Sequence, residues 1–244
     1  MTINYKTLQW WLVWIKTIFV TIRVSILTII NSWKVPIDRE TNDRRVRQWA
    51  QSILDFVRLT YTVYGSVNYE PGKSYIIMSN HASHFDIPLL FVALPGSIRM
   101  MAKKELFSIP IWGRGMYAGE IIPIDRKNRE QARKDLEYAS GKMKAGIIVW
   151  VAPEGTRTRS GKLQKFKKGG FILALQTGAT IIPVGIRGCR EVWPAKSINV
   201  ETDRHVEVHI GTPVDASQYT IEQRNDLVDV VFKQIRELAD LEAE

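Results

Sequence analysis

The chain has 244 residues, 45% of them hydrophobic, with 8 Trp, 8 Tyr and 8 Phe. That is enough for one sizeable core and excludes a disordered or low-complexity protein. One cysteine, Cys189, excludes a disulfide framework and a cysteine-ligated zinc site, and a net charge of +9 suits an anionic membrane, a phosphorylated ligand or nucleic acid.

The charge is unevenly placed. Residues 1–60 carry nine Lys/Arg against four Asp/Glu, residues 157–168 six basic residues and no acid, and residues 201–244 four basic residues against eleven acids. The N-terminal stretch from Thr7 to Trp33 is the most apolar, and Lys16 and Arg23 interrupt it. Its uncharged runs are shorter than the ~18 residues of a plain transmembrane helix. As a helix it places Gln9, Lys16, Arg23 and Asn31 on one side and Trp11, Ile15, Ile18, Phe19, Ile22, Ile26 and Ile29 on the other. An apolar stripe with basic flanks and many tryptophans predicts a helix lying in a bilayer interface. A second helical pattern follows Pro36, with Val46, Trp49, Ala50, Ile53 and Val57 at helical spacing and Arg44, Arg45, Arg47 and Arg58 around them. The expectation is a membrane-binding helix pair over residues 1–62 and an α/β domain over residues 63–244. The alternatives are that both helices pack on the core, or that the first one spans the bilayer.

From about residue 66 strands and helices alternate. Strands are expected at 74–78, 98–102, 120–125, 147–152, 180–186 and 205–210, with Pro123 marking an edge or an irregularity. Helices are expected at 87–94, 129–145, 171–176 and from the Thr220–Gln223 capping box to about Leu241. This pattern predicts an α/β fold with a mostly parallel or mixed sheet flanked by helices. Ligands of such folds bind beyond the carboxyl ends of the strands. The polar clusters obey that rule: Asn80–Asp86, Asp125–Arg126 and Pro153–Arg157 each follow a strand.

In the first cluster His81 and Asp86 have the spacing His-x4-Asp. Imidazole is the natural general base near neutral pH, and a carboxylate on its other nitrogen fixes the tautomer. A surface histidine beside a helix-capping aspartate gives the same pattern. His81, His84 and Asp86 as metal ligands, or Ser83 as a nucleophile, are weaker options with no supporting residues. Arg126 and Arg157 offer guanidinium forks that match phosphate oxygens, or they are structural partners of Asp125 and Glu154. Gly155 lets a ligand approach the backbone. Lys103, Lys104 and the lysine run before Gly169 are further anion candidates, and Cys189 reads as a buried inert thiol.

These clusters together resemble the glycerolipid acyltransferase family, the group that contains the 1-acyl-glycerol-3-phosphate acyltransferases. Asn80–Asp86 is similar to its first motif, Gly119–Arg126 to its second with Ile-Pro before Ile124, Pro153–Arg157 to its third with Ala152 in place of the usual Phe, and Ile182-Pro183-Val184 to its fourth. All four stand in the family's order and cover roughly residues 66–215. The resemblance implies acyl transfer from a thioester, acyl-CoA or acyl carrier protein, to the sn-2 hydroxyl of lysophosphatidic acid. It implies His81 as the base and Asp86 as its partner, and Arg126, Glu154, Gly155, Arg157 and Lys103 as substrate-binding residues. It implies no metal and no cofactor, and a place on the cytoplasmic face of the inner (plasma) membrane. The runner-up acceptors are glycerol 3-phosphate and other lysolipids; a non-catalytic lipid-binding protein is the other alternative. Nucleic-acid binding is not expected, because the basic clusters coincide with these motifs and no aromatic–basic recognition motif is present.

Overall fold

The computed structural model describes residues 5–33 and 38–244. The junction of the two expected helices, near Pro36, lies outside the described residues. Helix α1 runs over Tyr5–Ser32 and α2 over Arg39–Phe56; Asp38 caps α2 by accepting the Thr41 amide at 3.2 Å. The chain continues through β1 (Thr60–Tyr64), β2 (Tyr75–Ser79), α3 (Asp86–Ala93), β3 (Ile98–Lys103), a 3₁₀ turn at Lys104–Ser108, α4 (Trp112–Ala118), β4 (Ile122–Ile124), α5 (Arg129–Lys144) and β5 (Ile148–Val151). It ends with α6 (Gly169–Thr177), β6 (Thr180–Arg187), α7 (Cys189–Val192), β7 (His205–Ile210), β8 (Val214–Asp215) and α8 (Arg224–Ala239).

The strands form one mixed sheet in the order β1-β7-β6-β2-β5-β3-β4, with β8 beside β6. Strands β6, β2, β5, β3 and β4 are mutually parallel, whereas β7 and β8 pair with β6 antiparallel. The expected α/β architecture is therefore present. Strand β2 is buried throughout, and its side chains alternate between two cores. Tyr75 and Ile77 join Phe85, Leu89 and Leu90 on the face covered by α1 to α3, and Ile76 and Met78 join Phe171, Leu227 and Val231 on the face covered by α5, α6 and α8. Pro123 lies in the three-residue edge strand β4, where its missing N–H costs the ladder least.

The two N-terminal helices divide in role. On α2, Ala50, Ile53, Leu54 and the following Val57 are core residues. Its Asp43 pairs with the buried Arg99 of β3 at 2.7 Å, and its Arg39 pairs with Glu120 at 3.0 Å. Strand β1 runs across residue 62, so the sheet begins before the expected domain start. Helix α2 is thus part of the body. Helix α1 instead lies along the body with Val20, Ser25 and Thr28 buried. Gly115 of α4 permits that approach, since a Cβ there would come within 2.5 Å of the Ser25 Cβ. The opposite stripe is open: Trp11 is 61% exposed, Ile15 60% and Phe19 69%, and Ile18, Ile22 and Ile26 are exposed beside them. These are six of the seven stripe residues that helical projection selects. Helix α8 starts later than the capping box implies. Gln223 does accept the Thr220 amide at 3.0 Å, but the helix begins at Arg224.

Candidate active site

The carboxyl ends of β2, β3, β4 and β5 point to one edge of the sheet, and all the polar clusters meet there around a cavity of about 1200 Å³. Its walls are mostly apolar, with Ile18 and Ile22 from α1, Trp49 and Ile53 from α2, and Trp150 and Trp193 from the body. His81 lines it.

The conformation of the turn that carries His81 follows from the polypeptide itself. Asn80, buried at the end of β2, donates to the Ile186 carbonyl at 2.9 Å and accepts the Ile186 amide at 2.8 Å, which pins the turn to β6. Asp86 opens α3, and its Oδ2 accepts the amides of Ala82 and Ser83 at 2.8 and 2.9 Å. The same oxygen lies 2.8 Å from His81 Nδ1. An acceptor on Nδ1 leaves the proton there and the lone pair on Nε2. Trp150 meets the imidazole edge to face at 5.9 Å and is itself held by its bond to Ser79 Oγ. The His81–Asp86 pair is therefore real geometry and not a surface histidine near a cap.

The other candidates in this segment are otherwise engaged. Ser83 is fully buried, and its hydroxyl donates to the Trp193 carbonyl at 3.0 Å. His84 turns to Trp193, ring centroids 4.7 Å apart. Among the described residues no group of three or more His, Cys, Asp or Glu side chains could hold a metal ion. Cys189 is buried, and that burial, with Asp86 as neighbour, pushes its thiol well above the usual range.

Glu154 is a strut between loops. It is 1% exposed, accepts the His81 amide at 2.7 Å on one oxygen and the Gln164 amide at 3.0 Å on the other. Burial pushes its carboxyl up to about 7 despite these bonds. The Thr158 amide adds a second tie to the turn by donating to the His81 carbonyl at 2.9 Å. Gly155 stands at φ +76, a conformation that favours glycine, and its carbonyl accepts from Arg126.

Among the described residues three cations line the cavity: Lys103 at the end of β3, Arg126 after β4, and Lys167 just before α6. Strand pairing sets Lys103 opposite Ile124, two residues before Arg126. Asp125 shapes the turn that presents Arg126. Its carboxylate accepts the amides of Lys127 and Asn128, bonds that hold its pKa below the ordinary value. Gly169 and Gly170, the first residues of α6, also line the cavity. Arg157 does not line this cavity; burial lowers the pKa of its guanidinium, and the charge of Asp86 acts against that shift. Sequence reasoning selected His81, Asp86, Lys103, Arg126, Glu154, Gly155 and Arg157. It named the lysine run without singling out Lys167, and it missed Asn80 as a clamp and the Trp150 and Trp193 walls.

A three-layer α/β fold with a His81 ring held by a buried Asp86, and with cations at the strand ends, has counterparts among known proteins. The family model described as Acyltransferase matches residues 60–187, and the chain belongs to that family. The 1-acyl-sn-glycerol-3-phosphate acyltransferase alpha of Homo sapiens is 31% identical over 170 residues, 69% of this chain and 60% of its own length. The chloroplastic 1-acyl-sn-glycerol-3-phosphate acyltransferase LPAT1 of Arabidopsis thaliana is 32% identical over 143 residues, 59% of this chain and 40% of its own. The chain thus spans 40% to 60% of the length of these curated relatives. The crystal structure of the 1-acyl-sn-glycerophosphate (LPA) acyltransferase, PlsC, from Thermotoga maritima is similar over 96% of this chain and 95% of that one, with a TM-score of 0.77 and 25% identity.

Proposed function

We propose that the protein transfers an acyl group from a thioester to the free sn-2 hydroxyl of lysophosphatidic acid, giving phosphatidic acid at a membrane surface. The observation that carries this reading is His81, held by Asp86, in the wall of a large apolar cavity that also holds Lys103, Arg126 and Lys167. An acyl chain needs the apolar walls, a phosphate needs the cations, and a hydroxyl nucleophile needs the base. The relatives' names support the choice of acceptor.

His81 Nε2 takes the proton from the acceptor hydroxyl as that oxygen attacks the thioester carbonyl carbon. The carbonyl electrons move onto oxygen, then return as the C–S bond breaks. The leaving thiolate takes the proton from the imidazolium. Asp86 holds the ring and stabilises its charged form. The acceptor is itself the nucleophile, so Ser83 and Cys189 have no covalent part. Acyl-CoA and acyl carrier protein both present the required thioester, and neither a metal nor a further cofactor enters the step.

Helix α1 fits an in-plane bilayer contact. Residues 8–32 are long and apolar enough to cross a membrane. However, contacts from Trp14–Trp193 through Thr21–Trp49 to Ser25–Gly115 bind one side of the helix to the body. A crossing would carry that polar body into hydrocarbon, whereas lying flat buries only the open stripe. A thioester carrier then reaches the site from the cytoplasmic side of the inner membrane. A thioester-consumption assay over a panel of acceptors tests the reading: lysophosphatidic acid should drive turnover, ahead of glycerol 3-phosphate and lysolipids without a terminal phosphate.

A further inference from the structure

The apolar surface of α1 continues onto a second element. Ile109, Pro110 and Ile111 are three consecutive exposed apolar residues between the 3₁₀ turn and α4, with Ile109 and Ile111 each 40% exposed and Tyr117 53% exposed on the helix that follows. Helix α4 packs directly on α1 where Gly115 meets Ser25. Through that contact the tripeptide lies beside α1. Ile109, Pro110 and Trp112 also line the cavity together with Ile18 and Ile22 of α1. The loop stands where the cavity meets the open apolar face.

Its backbone is strained. Ile111 has φ 65 and ψ −60, and the Trp112 amide donates to the Pro110 carbonyl at 2.7 Å. This is a γ-turn of the rare kind, with a β-branched residue at its centre. Ile111 is 40% exposed, so it is not a core residue whose packing would offset that strain. Strain of this sort concentrates at functional positions.

We infer that the Ile109–Trp112 loop is a second bilayer contact, which inserts beside α1 and frames with it a side opening through which a bilayer-resident acceptor enters the cavity. The inference rests on the membrane reading of α1. Its occupant is bilayer hydrocarbon, chosen because the loop continues the α1 stripe and borders an apolar cavity.

The test uses an environment-sensitive fluorophore on the variant Ile111→Cys. Cys189 is buried, so labelling is directed to residue 111. With vesicles of phosphatidylethanolamine and phosphatidylglycerol the emission should shift to the blue and gain intensity several-fold, and nitroxides on the lipid acyl chains should quench it. The same label on Ile221→Cys, exposed before α8 on the other side of the sheet, should not respond. Flotation of the protein with an unresponsive label at 111 overturns the inference and leaves the membrane reading of α1 intact; failure to float removes both. In a second arm, Ile111→Asn should lose about ten-fold in turnover of acceptor embedded in vesicles and keep turnover of a short-chain acceptor in solution. Equal loss on both acceptors marks the loop as structural and also overturns the inference.

Discussion

The Glu154 carboxylate accepts the backbone amide of His81 at 2.7 Å, so a residue of the third polar cluster sets the position of the general-base candidate in the first. Its other oxygen holds the Gln164 amide, and no substrate contact is needed to explain why an acid stands there.

Glu154→Gln replaces one acceptor by a donor facing an N–H. Below about pH 7, where the carboxyl is protonated, it should destabilise the fold by about 0.5–1.5 kcal/mol, the usual net worth of a hydrogen bond between neutral groups. Turnover should fall more than the acceptor KM changes. The pH dependence has a defined sign. The carboxyl is raised to about 7 in the folded protein against 4.5 for the free group. The folded state therefore binds the proton more tightly, and the residue's contribution to stability is complete below pH 4.5 and is lost as pH rises toward 7. Thermal denaturation of the wild type and Glu154→Gln across this range should show a shallower loss for the variant.

His81→Ala should lose roughly 10²- to 10⁴-fold in turnover, the range for a general base. Asp86→Asn should lose activity as well, because Oδ2 serves His81 and two backbone amides at once. Cys189→Ser should keep substantial activity. Ser83→Ala removes the bond to the Trp193 carbonyl, so its effect should appear in stability and not as a vanished acyl-enzyme. Steady-state kinetics with melting curves separates the two.

The cations divide by position. Arg126→Ala and Lys167→Ala should raise the KM for a phosphorylated acceptor by about ten- to a hundred-fold, the loss of one charge-assisted contact. Lysine at position 126 should restore part of it, since it supplies charge without the fork. Arg157 is off the cavity wall and acts electrostatically on Asp86, so Arg157→Ala should act on kcat more than on KM.

The N-terminal helices separate in the same way. Removing residues 1–33 should strongly weaken flotation with liposomes while the body stays folded. Removing residues 1–60 should unfold it, because Ala50, Leu54 and Val57 are fully buried and each large apolar side chain contributes about 1.5–3 kcal/mol. Flotation and circular dichroism on both truncations decide this.

Much of this was legible from residue order. Alternation located the central strands, and the rule of strand carboxyl ends brought His81, Arg126 and Glu154 to one place. Helical projection also selected the open face of α1. Other features were not visible, for physical reasons. Strand β1 follows α2 after a short turn, and its half-buried Thr-Tyr-Thr-Val-Tyr pattern carries little apolar signal. Helix α4 is seven residues long with two glycines, which sequence propensity disfavours; only its fit against α1 explains it. Lys167 reaches the cavity because the 152–168 loop folds back on β5, a tertiary fact with no local signature. The roles of Asn80 and Glu154 lie in backbone bonds to segments far along the chain.

The most direct measurement follows a radiolabelled acyl group in a single turnover, with enzyme in excess over acyl thioester and lysophosphatidic acid supplied in vesicles. The account predicts that label passes straight into phosphatidic acid, that no label stays on the protein, and that His81→Ala slows the transfer at least a hundred-fold. Label covalently trapped on Ser83 or Cys189, or transfer that proceeds equally without lysophosphatidic acid or without His81, would contradict it.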